Sequence, residues 1–333
     1  MKLVALTRVR IDGDVVEEFV RHTLRFVDEI FIIDNLSPDT TPQILDALKS
    51  EGLPVTLLRD DYIEGRRDLV TRYTREIFKR VNPDFVLPLD ADEFLKVESR
   101  AGLEAALQTV PSGAHALVPW RTYVPVPQED AAEPRILARL RYRLAEEPWQ
   151  FYKAFVGRAF IESDAIFIPG GHEVQFPDGK PMPNALLSGV ELAHFPVRSP
   201  TQIQSKALLG WTACIAAGYD LVPGHDAEDG MAAQWRKLYE KLRSSADWSS
   251  ATFYSAVQNY FGEKPATDEV VYDPLEPVER RYGATSPIVL QTAIELSRQL
   301  AQQHAQLQRE NEELRAELQS RGRRDSNPQP TSS

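Results

Sequence analysis

Two aspartates one residue apart, Asp90 and Asp92, directly follow an apolar stretch at residues 86–89. Paired carboxylates suit a hard divalent cation such as Mg²⁺ or Mn²⁺, which prefers oxygen ligands and keeps some of its water. An ion held in this way can neutralise a diphosphate. The alternative is an acidic turn that caps a helix, and the pair by itself leaves both interpretations open.

The elements around this pair follow two alternating periodicities. Short apolar runs predict strands, and residues with helical spacing lie between them. The predicted strands are residues 3–6, 30–33, 55–58 and 85–87. A helix is predicted after 41, with Thr41 as its cap and Pro42 in its first turn. This βαβαβαβ order is the pattern of a mainly parallel sheet covered by helices.

Polar side chains follow each of the four predicted strands. The carboxyl ends of parallel strands meet at one edge of a sheet, and ligands bind there. The sequence therefore predicts one crevice that gathers four groups, which are Arg8 and Arg10, Asp34 and Asn35, Asp60 and Asp61, and Asp90 and Asp92.

The pattern changes at about residue 114. Apolar segments rich in aromatic residues and proline follow, at 116–120, 155–161 and 166–169, and helical spacing returns near 200 and near 230. These features predict a half with a mixed sheet and additional helices.

The composition indicates a folded, acidic protein. The chain has 333 residues, of which 42% are hydrophobic, and a formal net charge of −11, so nucleic acid is not an expected partner. We expect a cytoplasmic protein with at most peripheral membrane association, because no run reaches the length of a membrane span and no export signal is evident. The single cysteine, Cys214, excludes an internal disulfide and a cysteine-based zinc site, and its apolar neighbours predict a core residue.

Two segments carry a resemblance to a known family. Residues 31–41 read FIIDNLSPDTT and residues 89–95 read LDADEFL. In their order and their βαβ frame they resemble the family 2 glycosyltransferases, in the branch with a DNxSxDxT-like turn and a DADEF block. The resemblance continues more weakly through residues 170–174 and 192–199 and covers roughly residues 2–210. Ile11 departs from the pattern, because that branch has an Asn-Glu pair at this point.

The resemblance implies a GT-A fold, a Rossmann-like mixed α/β sheet flanked by helices, with a divalent metal, Mn²⁺ or Mg²⁺. Asp34 would accept hydrogen bonds from the nucleotide base or ribose, with Arg8 beside it. Asp92 would bind the metal, and Asp90 would bind the ribose or a metal-bound water. Arg67 is a candidate for the donor phosphates, with a solvated helix residue as the alternative.

Three residues of the second half are candidates for the same site. His194 ends an apolar strand, where its imidazole can complete the metal shell or contact the diphosphate, and a structural histidine is the alternative. Arg198 stands at a predicted helix start, where free backbone amides and the helix dipole favour an anion. Lys206 lies two turns further along that helix, and we predict a donor-binding role for both cations.

An inverting transferase needs a base that deprotonates the acceptor hydroxyl. Glu173 is the first candidate, because it neighbours His172 in a Gly-Gly loop that can approach the substrate closely. Glu191 and Glu93 are alternative carboxylates, and Glu173 as a plain loop charge is the alternative interpretation.

A leucine repeat marks the C-terminal segment. Leu300, Leu307 and Leu314 recur every seven residues, which places Asn311 at an a position. This arrangement favours a parallel two-stranded coiled coil, so a homodimer through residues 287–320 is predicted, with a helix folded back on its own domain as the alternative.

We expect a GT-A domain at 1–284, with a nucleotide-binding half at 1–113 and an acceptor half and helical extension at 114–284. A coiled-coil helix at 285–320 and a disordered tail at 321–333 complete the chain.

The predicted activity is transfer of a sugar from a nucleotide-sugar donor to a saccharide or lipid-linked acceptor in surface glycan synthesis. A nucleotidyltransferase is the alternative enzyme, although it would carry a glycine-rich basic loop after the first strand, and no glycine occurs there before Gly13. A non-catalytic coiled-coil scaffold with a degenerate sheet domain is the third hypothesis, and the intact Asp34, Asp90 and Asp92 argue against it.

Overall fold

The computed structural model describes residues 1–59, 69–127, 129–130, 132–168, 170–216, 233, 235–240 and 269–283, and residues 293, 300, 306–307, 309–311 and 314. Asp60, Asp61 and Arg67 lie outside the described residues. Most of the predicted coiled coil and the predicted tail also lie outside them.

Strands and helices alternate through the first half, and each strand predicted there is present. The strands are β1 (Leu3–Val9), β2 (Glu29–Asp34), β3 (Val55–Arg59), β4 (Phe85–Pro88) and β5 (Glu93–Lys96), and the helices are α1 (Val16–Thr23), α2 (Thr41–Ser50), α3 (Leu69–Val81) and α4 (Arg100–Gln108).

The second half contributes further strands and shorter helices, and the helix predicted near residue 200 is present. The strands are β6 (His115–Thr122), β7 (Tyr142–Leu144), β8 (Tyr152–Gly157), β9 (Ile166–Phe167), β10 (Val174–Gln175), β11 (Asn184–Leu186), β12 (Glu191–His194) and β13 (Val270–Tyr272), and the helices are α5 (Ile136–Arg139), α6 (Arg158–Glu162) and α7 (Pro200–Ala216). Residues 235–240 are also helical.

Within the described residues, nine strands form one sheet in the order β3-β2-β1-β4-β8-β6-β12-β5, with β11 paired to β6. β1 is parallel to β2 and to β4, β8 is antiparallel to β4 and to β6, and β12 is parallel to β6. The strands β1, β2, β4, β6 and β12 therefore all end at one edge, where β8 begins. This mixed α/β sheet flanked by helices is consistent with a Rossmann-like GT-A fold, as predicted.

Apolar layers cover both faces of the sheet. Along β1, Leu3 faces a cluster that includes Phe19 of α1, while Val4 faces a second cluster that includes Ile77 of α3. Strands buried on both faces read as continuous apolar runs, which explains why β1 shows no polar alternation. Each such buried side chain stabilises the fold by about 1.5–3 kcal/mol, so the sheet holds its polar edge in a fixed position.

The start of α2 differs from the prediction. Thr41 is already the first helical residue, and the N-cap Thr40 makes no side-chain hydrogen bond. The hydroxyl of Thr41 instead accepts a hydrogen bond from the backbone N–H of Asp12 at 3.1 Å. Thr41 therefore ties the loop after β1 to α2.

The described positions of the C-terminal segment are helical. Leu300 packs against Ile11 and Leu209 of the sheet domain, while Leu307 and Leu314 are exposed at 57% and 58%. The contact at Leu300 fits a helix that starts against its own domain, and the coiled coil remains a prediction. No helix among the described residues is long and apolar enough to cross a membrane.

Candidate functional site

The turn between β4 and β5 presents the paired aspartates at the polar edge. The N–H of Glu93 donates to the carbonyl of Asp90 at 2.9 Å, and the N–H of Asp90 donates back to Glu93 Oε2 at 2.9 Å. The N–H of Phe195 donates to the carbonyl of Asp92 at 2.8 Å. This last bond sets Asp92 beside the end of β12, where His194 lies.

Three basic side chains surround the carboxylate of Asp92. Lys206 Nζ lies 2.8 Å and Arg198 Nη1 lies 3.4 Å from Oδ2, while His194 Nε2 lies 3.9 Å from Oδ1. Burial opposes the charged form of Asp92, but Lys206, His194 and Arg198 outweigh it and hold the pKa of this carboxyl well below its usual range. Asp92 is therefore an anion fixed in place before any ligand arrives.

The donors present fit a divalent ion held by two protein ligands. The 3.9 Å between Asp92 Oδ1 and His194 Nε2 is too long for a hydrogen bond. It lies between the separations of adjacent and opposite ligands on an octahedral ion, about 3.0 and about 4.2 Å for bonds of about 2.1 Å. Burial lowers the pKa of His194 to about 4, so its ring is neutral and can ligate. The part of the chain that the structure describes holds no group of three or more His, Cys, Asp or Glu side chains suited to a metal, so substrate oxygens and water would complete the shell.

Asp90 has a different cation as its partner. Its Oδ2 lies 2.7 Å from Lys153 Nζ, and its side chain is 56% exposed. The surrounding protein partly shields this carboxylate from water, which works against ionisation, yet Lys153 holds the pKa of Asp90 below its usual range. The geometry therefore favours Asp92 and His194 as the metal pair and leaves Asp90 for the ribose or a metal-bound water, the other role predicted for it.

Arg198 does not stand free at the start of α7. Its side chain is 1% exposed and donates to Asp14 through Nε at 2.8 Å and Nη2 at 2.9 Å, and to Asp12 through Nη2 at 3.1 Å. Nη1 reaches the carbonyl of Phe195 at 3.3 Å as well as Asp92. With all three guanidinium nitrogens engaged, these contacts favour a positioning role over the predicted contact with donor phosphates. Lys206, on α7, is 31% exposed beside Asp92 and is better placed for a phosphate.

The loop after β1 is strained where the sequence departs from the family pattern. Ile11 has a φ of 59°, a region that asparagine tolerates and β-branched residues avoid. The Ile11 side chain is 4% exposed and packs with Leu209 and Leu300. Apolar packing thus offsets a backbone conformation that is costly for isoleucine.

Asp34 and Arg8 stand at the ends of neighbouring strands. Asp34 pairs with Val9 in the parallel register of β1 and β2, and its Oδ1 accepts from the N–H of Ser37 at 3.1 Å. Arg8 Nη2 donates to Asn35 Oδ1. Asp34 therefore ends β2 at the polar edge, and the turn that follows holds its Oδ1 in place.

Two histidines flank Trp120 at the same edge. The ring of His194 lies 4.2 Å and that of His172 lies 5.1 Å from the Trp120 ring. His172 Nδ1 is 2.9 Å from the carbonyl of Tyr152, and because a carbonyl only accepts, Nδ1 carries the proton and Nε2 offers a lone pair. Burial and the nearby Lys153 lower the pKa of His172, which keeps the ring neutral.

The candidate carboxylate bases differ in their surroundings. Glu173 is exposed, and nothing in the described residues forms an ion pair or a side-chain hydrogen bond with it. Glu191 Oε1 is 2.7 Å from Arg121 Nε. Glu93 is fully buried, bonded to the N–H of Asp90, and burial raises its pKa well above the usual range. Burial removes Glu93 from contact with an acceptor, and the pairing of Glu191 with Arg121 makes it a weaker candidate than Glu173 and His172.

Four site residues were not predicted from the sequence, namely Asp12, Asp14, Trp120 and Lys153. A signal existed for Lys153, because it is a single charge inside the apolar strand β8, and such charges are buried only when paired. For Asp12 and Asp14 the signal was the same spacing that marked Asp90 and Asp92. Trp120 gave no signal beyond an aromatic strand.

No family model matches the sequence, and no curated protein matches it either. Among solved structures, Staphylococcus aureus TarS is similar at 14% identity and a TM-score of 0.37, over 78% of this chain and 48% of that one. The mannosyltransferase PcManGT from Pyrobaculum calidifontis, solved with GDP-Man and Mn²⁺, is similar at 15% identity and a TM-score of 0.38, over 77% and 73%. A 4-diphosphocytidyl-2C-methyl-D-erythritol synthase shows 12% identity and a TM-score of 0.28, over 48% and 76%. The chain spans about half the length of the first of these structures, and at such low TM-scores the functional assignment rests on the site itself.

Proposed function

We propose that this protein is a glycosyltransferase that transfers a sugar from a nucleoside diphosphate donor. The observation that carries the proposal is the juxtaposition of Asp92, His194 and Lys206 at the strand edge that also carries Asp34. Asp92 and His194 are an anionic and a neutral ligand suited to a metal ion, and Lys206 beside them is a cation suited to a phosphate. Asp34, elsewhere on the same edge, is a hydrogen-bond acceptor suited to a nucleoside.

The donor half of the site binds by charge and hydrogen bonding. Asp34 accepts hydrogen bonds from the base or ribose, and Arg8 holds the adjacent Asn35. Asp92 and His194 are the residues that would hold Mn²⁺ or Mg²⁺, and the ion when bound supplies positive charge to the leaving diphosphate. Lys206 adds a second positive charge from α7. Arg67, outside the described residues, remains a candidate for the same phosphates.

The acceptor half offers His172 and Glu173 for removal of the hydroxyl proton. His172 has a fixed tautomer, a neutral ring and a lone pair at Nε2, so it meets the requirements of a base at neutral pH. Glu173 is the adjacent carboxylate. We assign the base to His172 and give Glu173 the task of stabilising the imidazolium that forms, in an inverting reaction on a saccharide or lipid-linked acceptor in surface glycan synthesis at the cytoplasmic side.

The experiment that tests this proposal is a thermal-shift screen of nucleotide sugars with and without Mn²⁺, followed by an assay for sugar transfer. A ligand that binds the native state raises the melting temperature. The matched control is Asp178→Ala, which removes an exposed aspartate paired with Lys180. Stabilisation by a nucleotide sugar plus Mn²⁺ that survives in Asp178→Ala and is lost in Asp92→Ala supports the proposal. Pyrophosphate release from a nucleoside triphosphate and a sugar phosphate, without sugar transfer, would instead identify a nucleotidyltransferase.

A further inference from the structure

Lys153 is a buried cation at the point where β8 enters the polar edge. Its side chain is 3% exposed, and its Nζ lies 2.7 Å from Asp90 Oδ2, 3.4 Å from Glu93 Oε1 and 2.9 Å from the carbonyl of Gly170. Taking a lysine out of water is costly unless it is paired and hydrogen-bonded. The hydrogen bonds to Asp90 and Gly170, with Glu93 at ion-pair distance, meet that requirement, which explains why a charge is tolerated inside an apolar strand.

The three partners of Lys153 belong to segments that are distant in sequence. Asp90 and Glu93 form the turn with the paired aspartates, and Gly170 belongs to the loop that carries His172. Lys153 is 63 residues from Asp90 and 17 from Gly170. One ammonium group therefore bridges the donor half and the acceptor half of the candidate site.

Glycine gives the loop at 170–173 its shape, but not its place relative to the aspartates. Gly170 and Gly171 have φ values of 90° and 70°, which other residues rarely adopt. A Cβ on Gly170 would lie 2.5 Å from the His172 ring. The N–H of Ala154 also donates to the carbonyl of Gly171 at 2.9 Å, so the loop is attached to β8 on both sides of Lys153.

We propose that Lys153 is a positioning residue that fixes the His172 loop at a set distance from the turn carrying Asp90 and Asp92. An effect of this positioning on catalysis rests on the proposed function. The bridge, meaning the contacts of Lys153 with Asp90, Glu93 and Gly170, is a property of the fold. A side chain of similar length without a charge cannot hold three oxygens. Arginine keeps the charge and most of the donors, and it restores part of the bridge.

Hydrogen exchange provides the first test and needs no substrate. In Lys153→Met, peptides covering residues 90–93 and 170–175 are expected to exchange at least about tenfold faster, while peptides from β1 and β2 keep their protection. The matched control is Lys96→Met, which removes a lysine bonded to Asp273 at 30% exposure. Unchanged protection of residues 170–175 would overturn the proposal, and so would a loss of protection spread evenly over the sheet.

The titration of His172 gives a second readout, which a change in overall stability alone would not move. Among the described residues, the charged groups that face His172 are Lys153, Asp90 and Glu173. Removing the positive charge of Lys153 should raise the midpoint of the His172 ring by at least about half a pH unit in NMR spectra of histidine-labelled protein. Lys153→Arg should bring the midpoint and the exchange rates part of the way back to the wild-type values, and Lys96→Met should alter neither. A midpoint in Lys153→Met equal to that of the wild type overturns the bridge even if the melting temperature falls.

These outcomes separate the bridge from the proposed function. If wild-type protein transfers no sugar, the glycosyltransferase proposal fails while the exchange and titration results still decide the role of Lys153. If sugar transfer is found, Lys153→Met should lower kcat at least about tenfold, although Asp92 keeps Arg198 and Lys206 as partners.

Discussion

Replacing Arg198 by methionine tests how the site is assembled. Arg198 compensates three carboxylates, those of Asp12, Asp14 and Asp92, and its side chain is 1% exposed. Breaking a buried ion pair by removing one partner costs about 3–5 kcal/mol, because the remaining charge is left buried. We therefore expect Arg198→Met to lower the free energy of unfolding by about that amount near pH 8.

The loss should depend on pH with a definite sign. Burial raises the pKa of Asp12 to about 7 in the folded protein, although Arg198 opposes the rise. A raised carboxyl pKa contributes stability at low pH, and this contribution is lost as pH rises from about 4 to about 7. Without Arg198 the pKa of Asp12 rises further. In the variant, Asp12 is therefore protonated already at a higher pH, which removes its buried negative charge and its destabilising effect. The destabilisation should therefore shrink by at least about 1 kcal/mol, the equivalent of about one pKa unit, between about pH 8 and about pH 5.5.

Urea denaturation at both pH values measures these free energies, since urea carries no charge that would screen the site. The matched control is Arg121→Met, in which the arginine is 2.7 Å from Glu191 but 29% exposed, so its loss should cost about 0–1 kcal/mol. In the double variant Arg198→Met with Asp14→Asn, part of the lost stability should return. Two results would refute the idea that Arg198, Asp12, Asp14 and Asp92 stabilise the fold through their charges. One is an equal loss of unfolding free energy in the two arginine variants, and the other is a loss for Arg198→Met that is the same at both pH values.

Three further predictions concern the nucleoside, the base and the C-terminal segment. Asp34→Ala should weaken binding of UDP or GDP at least about tenfold with or without Mn²⁺ in calorimetry, and a loss confined to samples with Mn²⁺ would place Asp34 in the metal shell. His172→Gln should lower turnover by about two to four powers of ten with donor affinity nearly unchanged, whereas Glu173→Gln should lose less, and the reverse order in kinetic assays would assign the base to Glu173. Deleting residues from Ser286 onward should give a monomer in light scattering that still binds nucleotide and melts slightly earlier because Ile11 loses Leu300, and a full-length protein already monomeric at micromolar concentration would contradict the coiled coil.

The sheet and the acidic turn could be predicted because local pattern determines them. β1, β2 and β4 are apolar runs buried on two faces, β3 is a half-buried edge strand, and their parallel order follows from the helices between them. Asp90 and Asp92 follow directly from the end of β4. A strand end and a helix start mark His194 and Lys206 in the sequence, and both side chains lie beside Asp92, while their roles remain predictions.

The rest of the site depends on contacts between distant segments. Arg198 was assigned to an anion because it precedes a helix, and the competing anions, Asp12 and Asp14, lie more than 180 residues away. Lys153 contacts its partners because β8 lies between β4 and β6 in the sheet. The hydroxyl of Thr41 fits a helix cap by sequence, yet the fold brings the N–H of Asp12 within its reach. The arrangement of strands and helices decides which of several possible partners a side chain contacts, and the spacing of residues along the sequence does not reveal it.

The most direct test of the central claim is calorimetry of UDP and GDP binding to wild-type protein and to Asp92→Ala, each with and without Mn²⁺. In the wild type, Mn²⁺ should tighten binding of one of the two nucleotides at least about tenfold. In Asp92→Ala that increment should vanish, while affinity without the metal should hold or improve, because Lys206 loses the carboxylate 2.8 Å away and turns to the diphosphate. A wild type that binds neither nucleotide with Mn²⁺, or a variant that keeps the full increment, would contradict the account.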